Sequence, residues 1–239
     1  MKNIIRIATR NSPLALEQAK MVSSMLSKHN KIEIVSMVSS GDKVSSKEFK
    51  IHGGKGLFLK ELEESLLCGD TDIAVHSLKD VPVVLENKFS ITTISHRENP
   101  CDAFISKKYK TMSDLPTDAT IGTSSPRRIA MLRNISKDFK IVEIRGNIQT
   151  RLKKMEEQKI DGIILAAAGL HRMSLKKHIS EYIPIEGFVP SAGQGILCIE
   201  YLKKNKYIEN ILNKYKTDIV EKCATEERNF VREMGGDCM

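Results

Sequence analysis

Tryptophan is absent from this chain of 239 residues, and aromatic residues make up only 5% of it. Proteins that bind nucleic acid commonly stack bases on aromatic side chains or carry a recognition motif. The sequence has few such side chains and no such motif. A nucleic-acid partner is therefore the weakest of the functions that we consider.

Paired cysteines and long apolar runs are also missing. The five cysteines include no C-x-x-C pair and are odd in number, which argues against a structural zinc site and a disulfide framework. No apolar run approaches the ~20 residues of a membrane-spanning helix. The apolar N-terminal stretch is interrupted by Arg6 and is too short for a signal peptide. We expect a cytoplasmic protein with free thiols, no metal and no membrane partner.

Basic residues are in excess, and the excess is local. The net charge is +8, and residues 99–190 contain sixteen basic and ten acidic side chains, an excess of six. A basic excess favours an anionic partner, either nucleic acid or a small polyanion. Because nucleic acid is disfavoured, we expect a small molecule that carries several negative charges.

Alternating strand-like and helix-like stretches predict an α/β fold with mostly parallel sheets. We expect the strands and helices at the following ranges: strands 4–8, 32–38, 72–76, 89–94, 140–144 and 162–169, and helices from Ser12, over 57–69, over 147–159 with Asn147 as cap, and over 217–236 with Asp218 as cap. The segment 95–104 breaks the pattern, and the Gly-rich turn at 189–201 crosses back. Two crossings predict a hinge between two lobes.

The two halves of the chain share one motif. "IRIATRNSPLALEQ" and "ATIGTSSPRRIAML" each read as a strand, a polar link, Ser-Pro and a helix. A helix N-terminus with a nearby arginine suits a carboxylate or phosphate. Arg145 and Arg151 follow in "EIRGNIQTR", after a strand end. Simple helix capping and a solvated helix face remain the alternatives for these residues.

A lone acid follows a buried strand in "DIAVHSLKDVP". Asp80 beside Lys79 can stabilise a cationic intermediate or move a proton, although a helix N-terminal Asp paired to Lys79 is the alternative. His76 is as compatible with a core position as with catalysis. In "HGGKGLF", Lys55 lies between glycines without Walker spacing, which indicates a lid that carries one cation.

Taken together, these stretches resemble the porphobilinogen deaminase family. The resemblance rests on "RIATRNSPLALEQA", "GGKGLFLKELE", "DIAVHSLKDVP", "GTSSPRR", "RGNIQTRL", "AAAGLHRM", "SAGQG" and "ERNF…GGDC", which span nearly the whole chain. It implies a monomeric transferase of haem and tetrapyrrole biosynthesis that joins four porphobilinogen units into hydroxymethylbilane. It also implies a dipyrromethane cofactor held by a thioether bond.

The resemblance implies a role for each matching residue. Asp80 matches the catalytic aspartate and Cys238 the cofactor cysteine. The lid positions are Lys55 and Phe58. The remaining residues match positions that bind cofactor or substrate: Arg10, Ser12, Lys79, Thr123, Ser125, Arg127, Arg128, Arg145, Arg151, Arg172 and Gln194.

The resemblance further implies an α/β fold of two lobes like those of type II periplasmic binding proteins, followed by a small α+β domain. We expect domain 1 at 1–96 and 195–216, domain 2 at 97–194, and the first helix and cofactor loop of a shortened domain 3 at 217–239. Asp237 departs from the family pattern beside Cys238. Two outcomes stay open, an active deaminase or an inactive two-lobed fragment. A cytosolic anion-binding module of the periplasmic-binding-protein type is the alternative function.

Overall fold

The computed structural model describes residues 4–39, 59–94 and 96–236. The chain folds into two compact units. Unit 1 contains residues up to Arg97 and those from Ile196 onward, and unit 2 contains Glu98–Gly195. The chain therefore crosses between the units twice. That residues after 216 open a third domain stays a prediction. Among the described residues, no helix is both long and apolar enough to span a bilayer.

Unit 1 is a five-stranded mixed sheet in the order β2-β1-β3-β10-β4. Its strands are β1 Ile4–Arg10, β2 Lys31–Met37, β3 Ile73–Ser77, β4 Phe89–Ile94 and β10 Leu197–Leu202. Its helices are α1 Pro13–Leu26, α2 Lys60–Cys68, α6 Lys206–Leu212 and α7 Asp218–Glu233. Helices α1 and α6 bury apolar side chains against one face of the sheet, whereas α2 and α7 cover the other face.

Unit 2 repeats this plan in the strand order β7-β6-β8-β5-β9. Its strands are β5 Asp102–Ile105, β6 Thr120–Gly122, β7 Lys140–Val142, β8 Gly162–Ala166 and β9 Glu181–Tyr182. Its helices are α3 Pro126–Ile135, α4 Ile148–Glu157 and α5 Ala167–Arg172. Successive residues of β8 face opposite sides, so Ile163 and Leu165 pack in one core and Ile164 in the other.

Local signals in the sequence are confirmed at the helix starts. Ser12 and Ser125 are N-caps whose side chains accept a hydrogen bond from the third residue of the helix, and each is followed by Pro at the first helical position. Asn147 caps α4 in the same way. The Ser-Pro motif therefore begins the corresponding helix in both units.

Each sheet is mixed, with four strands in one direction and one reversed: β10 runs antiparallel to β3 and β4, and β5 runs antiparallel to β8 and β9. The first crossing between the units falls within the segment 95–104, at the end of which strand β5 begins. Two expectations are wrong. The strand expected over 162–169 ends at Ala166, where helix α5 begins. The last helix has Thr217 at its N-cap position, and Asp218 lies in its first turn.

Three ionisable side chains lie together between the sheet of unit 1 and α2. Glu200 on β10 is fully buried, and its Oε2 lies 3.1 Å from Nε2 of His76 on β3. This pairing identifies His76 as a core residue. Burial, followed by the charges of Glu200 and Glu86, raises the pKa of Glu63 to about 7. The folded protein therefore holds a proton on Glu63 at a pH where an ordinary carboxyl has lost it.

Because Glu63 keeps this proton in the folded protein, we expect the free energy of unfolding to fall as the pH rises. The contribution of Glu63 is fully present below its ordinary pKa of 4.5 and is lost as the pH rises through about 7. Replacement of Glu63 by Gln keeps a neutral side chain, so the melting temperature of the variant should fall less than that of the wild type between pH values of about 5.5 and 8.5. Glu64→Gln, at an exposed position on the same helix, should follow the wild type. Parallel melting curves for all three proteins would contradict the assignment.

Candidate functional site

In unit 1, the residues expected at the site follow two neighbouring parallel strands. β1 ends at Arg10 and β3 at Ser77, and the two strands pair with Ala8 opposite Ala74. The carboxyl ends of parallel strands meet at one sheet edge, which is where ligands bind in open α/β sheets. Arg10 and the Lys79–Asp80 turn are therefore brought to the same edge of unit 1.

The turn that carries Asp80 is anchored by its neighbours. Residues Leu78–Asp80 form one turn of 3₁₀ helix. Leu78 is buried in an apolar cluster, and its N–H donates to the carbonyl of Ile196 at 3.0 Å. Asp80 is exposed at the end of this turn. The carboxyl group of Asp80 is therefore exposed to solvent, on a backbone that the contacts of Leu78 hold in place.

Helix α1 is fastened to the same edge. The Oγ of Ser12 accepts a hydrogen bond from the N–H of Ala15 at 3.4 Å. The Nε2 of Gln18 donates to the Oγ of Ser77, 2.8 Å away, at the end of β3. The α1 N-terminus, with its free N–H groups and positive dipole end, is therefore held beside the end of β3.

In unit 2, the link "TSS" joins β6 to α3 through short-range hydrogen bonds. The N–H of Thr123 donates to the carbonyl of Val142 at 3.0 Å, and the Oγ1 of Thr123 accepts from the N–H of Ser125 at 3.2 Å. Ser125 in turn caps α3. The hydroxyls that the sequence singled out are thus used in part to shape the helix start, as the capping alternative requires.

The two arginines that open α3 meet a buried carboxylate. Asp102 on β5 is fully buried. Its Oδ2 accepts from Nη2 of Arg127 at 2.6 Å, and its Oδ1 accepts from Nη2 of Arg128 at 2.7 Å. Nε2 of Gln194 donates to the same Oδ1 at 3.0 Å. Burial alone would raise the pKa of Asp102, but the two guanidinium groups lower it below its ordinary value.

Arg127 and Arg128 keep part of their hydrogen-bonding capacity. A guanidinium has five N–H donors. Arg127 donates one hydrogen bond each to the carboxylate of Asp102, the hydroxyl of Ser191 and the carbonyl of Val189. Arg128 contacts Asp102 twice and the carbonyl of Ile164 once. One carboxylate also offsets only one of the two positive charges, so the pair retains an excess positive charge.

Arg172 differs from these two arginines. It ends helix α5, and its Nη2 donates to the carbonyl of Gly195 at 2.7 Å. Its Nε is buried and has no hydrogen-bond partner among the residues that the structure describes. Burial lowers the pKa of Arg172 to about 10, and the charge of Glu98 opposes this shift. A buried donor without a partner is costly, so this side chain is suited to an anionic ligand.

Arg145 and Arg151 lie on either side of a glycine turn. Gly146 has a φ of +116°, and a side chain there would lie 2.8 Å from Cγ2 of Thr150. Nε of Arg151 donates to the carbonyl of Gly146 at 2.7 Å, and Nε of Arg145 donates to the carboxylate of Glu143. The turn thus presents both arginines after the end of β7.

The remaining predicted residues lie outside the described part of the chain. These are Lys55, Phe58 and Cys238. Of the other cysteines, Cys198 is fully buried, and burial raises the pKa of its thiol well above the ordinary value. That thiol is unsuited to act as a nucleophile, because the thiolate is the reactive form.

Sequence reasoning missed Asp102 and the group around Glu98. Oε1 of Glu98 lies 2.9 Å from Nδ1 of His171, whose Nε2 lies 2.8 Å from the hydroxyl of Tyr182. For Asp102 a signal existed: an acid inside the apolar stretch "CDAFI" needs a buried cation as partner. No local pattern indicates the pairing of Glu98 with a residue 73 positions away.

The family model and the relatives that match this chain have the same family name. The family model "Porphobilinogen deaminase, dipyromethane cofactor binding domain" matches residues 5–210. Porphobilinogen deaminase of Legionella pneumophila (strain Paris) is 45% identical, over 98% of this chain and 77% of the relative. That of Campylobacter hominis is 43% identical, over 99% of this chain and 78% of the relative.

Two solved structures share the architecture of this chain. A nutrient binding protein from Burkholderia cenocepacia, bound to methionine, has a TM-score of 0.53 at 13% identity and covers 96% of both chains. The periplasmic VFT2 domain of Bordetella pertussis BvgS has a TM-score of 0.51 at 13% identity, over 94% of this chain and 93% of that one. Likeness at this level of identity shows the fold alone, which is the two-lobed α/β fold expected from the sequence.

Because the carboxylate of Asp102 is paired with Arg127 and Arg128, we expect Asp102→Asn to destabilise the folded protein strongly. The substitution leaves the buried guanidinium of Arg128 and the partly buried one of Arg127 without their carboxylate, which should lower the free energy of unfolding of unit 2 by about 3 kcal/mol. Chemical denaturation followed by circular dichroism measures the loss. Asp118→Asn, which removes an exposed partner of Lys140, should change the free energy of unfolding far less. Equal effects of the two substitutions would contradict the role of Asp102.

Proposed function

The chain belongs to the porphobilinogen deaminase family, and we propose on that premise that it deaminates porphobilinogen and joins four units head to tail into hydroxymethylbilane. The observation that carries the proposal is the position of Asp80. An exposed carboxylate stands on an anchored turn at the end of β3, at the sheet edge that also carries Arg10. The family motif "DIAVHSLKDVP" supplies this acid.

The arginines account for the substrate class. Porphobilinogen carries two carboxylates, and each added unit brings two more, so the growing chain needs many cationic donors. In our proposal these carboxylates are bound by the residues that match the binding positions of the family. They are Arg10, Ser12 and Lys79 in unit 1, and Thr123, Ser125, Arg127, Arg128, Arg145, Arg151, Arg172 and Gln194 in unit 2. The Nε of Arg172, which is buried and has no hydrogen-bond partner among the described residues, supports an anionic ligand.

Asp80 acts on the reacting pyrrole. When the C–N bond of the aminomethyl group breaks and ammonia leaves, the substrate becomes an electron-poor azafulvenium. The carboxylate of Asp80 stabilises this cation and can accept the proton that is released when the new C–C bond forms. Leu78 holds the backbone during these changes, because it is buried and bonded to Ile196.

The dipyrromethane group fits the donors that are present. Its carboxylates suit the Nε of Arg172 and the N–H groups of Arg127 for which the described residues supply no acceptor. We propose Cys238 as the attachment residue, with Lys55 and Phe58 as lid residues; all three lie outside the described residues. When bound, the group supplies the pyrrole to which the first substrate unit is joined.

Replacement of Asp80 by Asn tests the catalytic role. The variant should keep the melting temperature of the wild type, because residue 80 is exposed, and should lose about 10²–10⁴-fold in kcat. A colorimetric assay of porphobilinogen consumption measures the loss. Asp70→Asn, at another exposed acid of unit 1, should keep the wild-type rate. Near-normal turnover by Asp80→Asn would exclude the proposed role.

Intact-mass measurement tests the attachment residue. The purified chain should carry the added mass of a dipyrromethane and give a pyrrole colour with Ehrlich's reagent. Cys238→Ser should lose both signals because the thioether sulfur is gone, whereas Cys68→Ser, which removes an exposed thiol, should keep them. A bare mass after incubation with porphobilinogen, together with absence of turnover, would favour the anion-binding alternative.

A further inference from the structure

Arg228 on α7 binds three consecutive carbonyl groups directly after Asp80. Its Nη1 donates to the carbonyl of Val81 at 3.1 Å. Its Nη2 donates to the carbonyls of Pro82 at 2.7 Å and of Val83 at 3.0 Å. Arg228 and Val81 are 147 positions apart in the sequence.

The backbone that Arg228 binds has little regular structure of its own. The 3₁₀ turn ends at Asp80, and the N–H of Val81 closes it by donating to the carbonyl of Leu78 at 3.1 Å. Pro82 has no N–H to give, so this stretch cannot join a sheet ladder. Val81 and Pro82 are nevertheless buried, and buried carbonyls need donors. Arg228 supplies those donors from another element.

Helix α7 holds Arg228 firmly. Val220 and Ala224 are buried in the cluster that also contains Leu78 and Val81. The carboxylate of Glu221 accepts a hydrogen bond from the hydroxyl of Thr93 on β4 at 2.6 Å. In the C-terminal half of α7, the guanidinium of Arg97 pairs with the carboxylate of Glu227. These contacts fix the helix on unit 1 at several points along its length.

A guanidinium is suited to this task. It is planar and presents its donors in a fixed fork, so three bonds from one side chain define the position of the acceptors in space. A lysine at the same place would present a single mobile ammonium group. The carbonyl of Val81 belongs to the residue that follows Asp80, so fixing it also fixes the backbone from which the Asp80 side chain projects.

We propose that Arg228 is a positioning residue for Asp80, acting through the carbonyls of Val81, Pro82 and Val83. The inference rests on the catalytic role of Asp80 and deepens it: the last described helix takes part in the geometry of the site without touching the substrate. The simpler alternative is that Arg228 only attaches α7 to unit 1.

Hydrogen exchange tests the structural half of the proposal without any need for activity. In Arg228→Gln, peptides that cover residues 78–83 should exchange about 10-fold faster or more, because the turn opens locally. Arg232→Gln is the matched control, since this residue lies one turn further along α7 and bonds Asn229 of its own helix. Arg228→Lys should behave like Arg228→Gln with a smaller change. Unchanged exchange in both Arg228 variants would overturn the proposal.

A double-mutant cycle tests the catalytic half. Arg228→Gln should lower kcat by about 10- to 100-fold through misplacement of Asp80 and leave KM within about twofold, because the carboxylate-binding arginines are unchanged. In the Asp80→Asn background the same substitution should cost less than about twofold. Guanidinium ion added to Arg228→Ala should restore part of kcat.

The hydrogen-exchange experiment and the double-mutant cycle together distinguish failure of the positioning role from failure of the proposed function. An equal fold-loss from Arg228→Gln in both backgrounds would show that Arg228 acts independently of Asp80 and would overturn the positioning role. Full turnover by Asp80→Asn would overturn the proposed function and the positioning role together. Accelerated exchange at 78–83 in that case would still leave Arg228 as a structural clamp, which is the simpler alternative.

Discussion

The buried carboxylate of Asp102 organises unit 2, because a charge without water must be compensated by the protein. It draws Arg127, Arg128 and Gln194 to one point, and these residues come from the start of α3 and from the segment that leads back to unit 1. Three distant parts of the chain are thereby fixed by one acid. The same contacts occupy some of the N–H donors of Arg127 and Arg128.

Unit 1 meets the same constraint with different groups. Oε2 of Glu200 lies 3.1 Å from Nε2 of His76, and the charge of Glu200 helps to raise the pKa of Glu63. The irregular backbone after Asp80 is satisfied by Arg228. In both units, therefore, long-range polar contacts complete an apolar core that the helices and sheets form by themselves, and they do so next to the strand ends where the candidate site residues stand.

Prediction from sequence succeeded where the causes are local. Ser12 and Ser125 cap their helices through the backbone a few residues away, so the Ser-Pro motif is sufficient to find both helix starts. It failed where the cause is distant. Strands β5 and β10 each follow a crossing between the units and run antiparallel to their neighbours, and no local periodicity records the direction of a partner strand. Helix α5 was missed because "AAAGL" continues the apolar pattern of β8.

The site residues divide in the same way. The family motifs identify Asp80 and the arginines, yet they do not indicate what holds these side chains in place. Arg127 and Arg128 spend most of their donors on the protein itself, whereas Arg172 keeps a buried donor without a partner in the described part of the chain. For the carboxylate ligand that we propose, contact with Arg172 would remove an existing cost, whereas contact with Arg127 would share a guanidinium that the protein already holds.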